Sequence, residues 1–201
     1  MSFVNQRKLV AQKAKSNSEQ AYKPALKISD YWYYTQALSS VARYADEQNI
    51  DKFIHRACKA SFSNRDPYKV LGSSAWVIRA IIERRKYKYL DAYLLKLLHI
   101  SSTVSNPVSR ADGLFLMYQA IFPIENFEQL QLVLDHLLLA CLDMNSWKKP
   151  QIMRNIALIM ANKDLIQAYK ILEKIPGGRV KRQTKKYLSE TKFLSPRAFF
   201  W

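Results

Sequence analysis

Asp66-Pro67 and Asn106-Pro107 stand 40 residues apart, and the apolar skeleton recurs at that same offset without a gap. Trp76 maps onto Leu116, Val77 onto Met117, Ala80 onto Ala120 and Ile81 onto Ile121. Further on, Leu90, Leu94, Leu97 and Leu98 map onto Leu130, Leu134, Leu137 and Leu138. A period of this size holds two helices per unit, and one such unit cannot bury its apolar face alone. The chain is therefore expected to stack helix pairs into a solenoid.

The punctuation between the apolar blocks agrees. Asp66 and Asn106 each offer a side-chain acceptor to the free amides of a helix start, and the proline that follows has no amide to leave unpaired. Ser29 or Asp30 does the same for a helix through Leu38, Val41 and Ala45, and a second helix over 49–62 carries Ile50, Phe53, Ile54 and Ala57. Further helices are expected over 67–85, 87–101, 107–121, 127–143, 147–161 and 164–175. Asn126 with Gln129 has the pattern of a capping box. Ser146 is placed to cap the 147–161 helix, whose first turn tolerates Pro150.

Outside this array, Phe3, Val10 and Ala14 mark a helix over about 2–16, and Ser16 to Pro24 reads as a polar linker. Pro176-Gly177-Gly178 breaks the chain before a last helix over about 178–190, where Val180, Thr184, Tyr187 and Leu188 share one face. Only four glycines occur and no segment alternates like a strand. Three regions follow: a basic N-terminal helix and linker (1–28), helical repeats (29–176), and a basic capping helix with an aromatic tail (177–201).

The four units start near Asp30, Pro67, Pro107 and Trp147, at spacings of 37, 40 and 40. On these units residues 30–190 resemble the HEAT-like family of helical repeats. Armadillo arrays give similar patterns, and the spacing disfavours tetratricopeptide repeats. The resemblance implies an all-α, right-handed α-α superhelix of about four helix pairs, flanked by N- and C-terminal helices. It also implies a binding surface, but no particular partner, because such folds host many functions.

The formal net charge of +16 and the pI near 9.8 draw such a chain toward polyanions. The excess sits at the ends. Residues 1–28 hold six Lys/Arg against Glu19, and residues 177–201 hold seven against Glu190. Cys58 and Cys141 are far apart in apolar helical contexts, as buried free thiols of a reducing compartment would be. The N-terminus carries no apolar core of signal-peptide length, and the longest apolar run, Leu137 to Leu142, is too short to span a bilayer. A soluble, intracellular, cytoplasmic protein is expected.

The sharpest candidate site is the last helix. Lys181 and Lys185 stack at i,i+4, as do Arg182 and Lys186, with Arg179 beside them and no carboxylate before Glu190. Like charges at that spacing repel, so an external anion would relieve them. A second basic run, Arg79 with Arg84, Arg85, Lys86 and Lys88, covers the turn inside the second unit, interleaved with Tyr87 and Tyr89. Arg43 matches Arg79 one unit earlier, as in a ladder of cations along one face. Phosphates are met by cations so spaced, and exposed bases by tyrosines.

Two aromatic clusters complete the set. Tyr31-Trp32-Tyr33-Tyr34 points in four directions from one helix, so it cannot all enter one core; packing against residues 1–28 and an aromatic contact site are the alternatives. Phe199, Phe200 and Trp201 are too apolar to hang free, and are expected to fold back over the last repeat or to enter a partner's groove. His55-x-x-Cys58 lacks a second ligand pair, so no metal site is expected. No nucleotide-binding loop, nucleophile elbow or zinc-protease motif appears, and no cofactor or small-molecule substrate is implied.

These features point to a non-enzymatic binding module for a polyanion, nucleic acid or an acidic protein. The alternative is a protein–protein scaffold that uses the concave helix face and the C-terminal aromatics. HEAT-like DNA glycosylases are a minor alternative. Trp76, Trp147, Asp112 and Arg110 supply residue types of that family but match none of its motifs at a defined spacing.

Overall fold

In the computed structural model, which describes residues 1–200, the expected caps are in place. Asp30 Oδ1 accepts from the amides of Trp32 and Tyr33, Asp66 from Tyr68, and Asn106 from Ser109, so each helix start has an acceptor for its free N–H groups. These caps open α3 (Tyr31–Tyr44), α5 (Pro67–Glu83) and α7 (Pro107–Ile121). Between them lie α4 (Ile50–Phe62) and α6 (Leu90–Ser102), the latter entered through a 3₁₀ turn at Tyr87–Tyr89. The series continues with α8 (Phe127–Leu142), α9 (Lys148–Met160), α10 (Leu165–Lys174) and α11 (Arg179–Ser189). Among the described residues every regular element is helical.

Two details differ from the expectation. Asn126 does cap α8, accepting from the Glu128 amide, but Gln129 does not reach back to it. The Gln129 amide instead donates to Asp91 of α6, so a cap residue serves as an inter-unit tie. The N-terminal segment is also more ordered than a linker. After α1 (Phe3–Ser16), Asn17 accepts from the Gln20 amide and starts α2 (Ser18–Ala25). Ser18, Ala21 and Ala25 lie buried on one side of α2, so small residues at i, i+3 and i+7 carry the packing that larger ones carry elsewhere.

The packing follows chain order. α3, α5 and α7 pack side by side, α9 joins α7, and α11 closes on α9. α4, α6, α8 and α10 each pack on the partner that precedes them. Trp32 of α3 packs closely on α5: a Cβ built on Gly72 would stand 2.5 Å from its ring, so any larger residue there would have to displace the ring. One continuous apolar core runs through all units, from Val10 and Ala14 in α1 to Leu188 in α11. Not every polar group that enters it pairs, since the buried Tyr118 hydroxyl has no hydrogen-bond partner among the described residues, but one Tyr–Ser cluster does. The Tyr93 hydroxyl donates to Ser74 at 2.8 Å and meets Ser61 at 2.7 Å, which ties α4, α5 and α6 together.

Cys58 and Cys141 are both free thiols. Burial pushes each up to about 12, which leaves them inert at neutral pH. Among the described residues no helix is long and apolar enough to cross a membrane.

Candidate polyanion interface

The basic run in the second unit has found its counter-charges. Glu47, in the turn between α3 and α4, accepts from Arg84 at 2.7 Å and from Lys86 at 2.7 Å. Asp51 of α4 takes Lys88. These partners lie 37 to 39 residues apart, so the α5–α6 turn presses against the α3–α4 turn and the start of α4. The hydrogen bond from Lys86 holds the Glu47 carboxyl below a glutamate's ordinary value, and the one from Lys88 does the same for Asp51. Arg79 pairs with Glu83 at 2.7 Å, and Arg43 pairs with the other oxygen of the same carboxylate. The anticipated ladder of Arg43 and Arg79 is thus bridged by an acid. Of the run, only Arg85 has no ion pair among the described residues; it stands exposed at φ 54 in the turn.

α11 is different. Val180, Thr184, Tyr187 and Leu188 turn inward, the face that periodicity assigns them. Arg179, Arg182 and Lys185 project outward, exposed, and no carboxylate among the described residues pairs with them. Lys181, on the flank, is spent: its ammonium donates to the backbone oxygen of Glu173 at 2.8 Å and to that carboxylate at 3.1 Å. Lys186 reaches Glu190 only at 3.7 Å, because Glu190 already holds Lys192 at 2.8 Å. The outward face of α11 therefore presents three open cations and a fourth only loosely held.

The tail does fold back, but it travels further than the last repeat. Leu194 donates its amide to Leu158 O of α9, and its carbonyl accepts from Asn162 at 2.8 Å. The Arg197 amide donates to Gln119 of α7 at 3.1 Å, and the Trp76 indole of α5 donates to Phe199 O at 2.8 Å. The Phe199 ring is buried edge-on against Trp76, 5.1 Å between centroids, and the Arg43 guanidinium lies over Phe200. The tail thus crosses α9, α7, α5 and α3 in turn and covers the side on which those helices meet. Trp201 lies outside the described residues.

The other sequence candidates are not brought together. Trp147 stands 77% exposed, Trp76 sits under the tail, and Arg110 pairs with Asp143 and the Val104 carbonyl. Among the described residues no group of three His, Cys, Asp or Glu side chains could hold a metal ion. Sequence reasoning missed one cluster: His55, Arg56 and Lys59 of α4 sit beside Tyr31 and Tyr34 of α3. The signal was present, since Lys52, His55, Arg56 and Lys59 recur at i, i+3, i+4 and i+7 on the exposed face of α4. No protein-family model, curated protein or solved structure matches the chain.

Proposed function

We propose that the chain is a non-enzymatic helical-repeat module that binds a polyanion, nucleic acid first, with its helix pairs stacked as a HEAT-like superhelix. The observation that carries this reading is the outward face of α11, where Arg179, Arg182 and Lys185 stand exposed without a counter-charge. At the α5–α6 turn, by contrast, Arg84, Lys86 and Lys88 are matched by Glu47 and Asp51. Phosphates would supply what α11 lacks, and release of their counterions would drive association with little sequence preference. Anisotropy titrations with labelled nucleic acid test this directly. Affinity should fall by orders of magnitude between about 50 and 200 mM salt. Absence of binding at the lower salt would refute the reading.

A second reading, a protein–protein scaffold, is favoured by one observation on α8. Leu132, Leu139 and Leu142 are exposed at i, i+7 and i+10, among Glu128, Asp135 and Asp143, on a helix without a single Lys or Arg. That apolar, acidic stripe suits a protein partner and repels a nucleic acid. The faces of α9, α7 and α5 that the tail crosses offer less to a partner, because the protein's own residues 194–199 are bonded to them.

A further inference from the structure

Between the start of α3 and the middle of α4 lies an open cleft of about 450 Å³, bounded by Tyr31, Tyr34, His55, Arg56, Lys59 and Ser63. We infer that this cleft is a nucleotide subsite for single-stranded nucleic acid, in which an unstacked base lies on Tyr31 and its phosphate meets Arg56 and Lys59. The inference rests on the polyanion reading and gives it a substrate class.

The chemistry of the walls carries the argument. Tyr31 is 47% exposed at the first position of α3, an unusual place for a large ring with a free face. Tyr34 stands one turn on, its ring 6.3 Å away and tilted by 55°, so the two rings form a corner and not a closed stack. A flat base can cover Tyr31 while its edge meets Tyr34. Burial and the neighbouring Tyr31 raise the Tyr34 phenol above its ordinary value, so it keeps its proton and remains a donor.

The cations opposite are positioned. Arg56 is held with its guanidinium 4.9 Å over the Tyr22 ring, and Tyr22 in turn packs on Phe53. Lys59 follows Arg56 by three residues on the same exposed face. No carboxylate lines the cleft. The acids closest in sequence are engaged: Asp51 with Lys88, Asp30 with the amides of Trp32 and Tyr33, and Asp66 with that of Tyr68. An aromatic face beside uncompensated cations is how single strands are held without sequence preference, because every base has a π face. A duplex hides its base faces and offers only phosphates, so the cleft separates the two forms.

The test compares a labelled oligo-dT single strand with a duplex of equal length, at about 50 mM salt, where phosphate contacts are strong. Tyr31→Ala should weaken single-strand binding about tenfold and leave duplex binding unchanged, while Tyr31→Trp restores it. Lys59→Gln should weaken both probes by a few-fold, since a phosphate contact is common to them. Tyr31 is exposed, so unchanged helicity and melting temperature are expected of these variants. If Tyr31→Ala has no effect, or the same effect on both probes, the cleft is not a subsite although the polyanion reading stands. If the wild type binds neither probe, the polyanion reading itself fails and the subsite with it.

Discussion

The basic run at the end of α5 and its turn, and α11, each contribute five cations to the candidate set; most of the first are paired with carboxylates and most of the second are not. In the turn, Arg84, Lys86 and Lys88 meet Glu47 and Asp51 of the preceding unit, and Arg79 meets Glu83. On α11, Arg179, Arg182 and Lys185 meet no carboxylate among the described residues. The difference comes from stacking. The α5–α6 turn lies against the α3–α4 turn and the start of α4, so charges 37 to 39 residues apart become neighbours. The last helix packs on α9 and α10 by one face only, and its other face is left to solvent or to a partner. A basic run thus indicates net charge only where no neighbouring unit can answer it.

The comparison is most exposed to charge reversal. Arg179→Glu/Arg182→Glu/Lys185→Glu should lower nucleic-acid affinity by about a hundredfold or more at low salt, and reduce the slope of log affinity on log salt by about three. The matching reversal of Arg84, Lys86 and Lys88 should cost less than about tenfold, because those cations are already answered. Equal losses in anisotropy titrations would erase the distinction between the two regions. The converse experiment removes the answer. Glu47→Gln/Asp51→Asn should free the turn cations and raise affinity by about threefold to tenfold. The melting temperature should hardly move, since these pairs lie at the surface.

Much of this was legible before any coordinates. The caps at Asp30, Asp66, Asn106 and Asn126 are chemical statements about the next few residues, and all four accept the amides expected of them. The inward face of α11 follows from the spacing of Val180, Thr184 and Leu188. Local rules could not give what distant residues decide. Gln129 looked like a cap residue because its partner Asp91 is 38 positions away. The tail has no periodicity, and its contacts on Trp76 and Gln119 lie 123 and 78 residues upstream. α2 escaped because serine and alanine fill the positions where a longer helix shows leucine. The acids that answer the turn cations sit 37 to 39 residues back, where only helix packing brings them close.

Acid titration sharpens the comparison through stability. The carboxyls of Glu47 and Asp51 are held below their ordinary values in the folded chain by Lys86 and Lys88. A depressed carboxylate contributes stability that is present above its unfolded value and lost as pH falls through its folded one. Glu47→Gln/Asp51→Asn should therefore melt slightly below the wild type at pH 7, and the two should converge as pH falls below about 4. Arg179→Gln/Arg182→Gln/Lys185→Gln should show no such convergence, because no carboxylate partner is there to be protonated. A pH-independent gap in the first case would mean that the turn pairs contribute nothing through charge.

The finest discrimination lies within α11 itself. Arg182 and Lys181 are adjacent, yet one projects outward and the other is tied to Glu173 through two hydrogen bonds. If the open charge is what a polyanion sees, Arg182→Gln should lower affinity a few-fold and take about 0.9 from the salt slope, the signature of one lost phosphate contact. Lys181→Gln should change neither quantity measurably, although it removes the same formal charge from the same helix. Long-range attraction to net charge alone would make the two substitutions equivalent, and would be screened equally in both by salt. A difference between them locates binding on the outward face; equality would reduce α11 to a contributor of bulk charge.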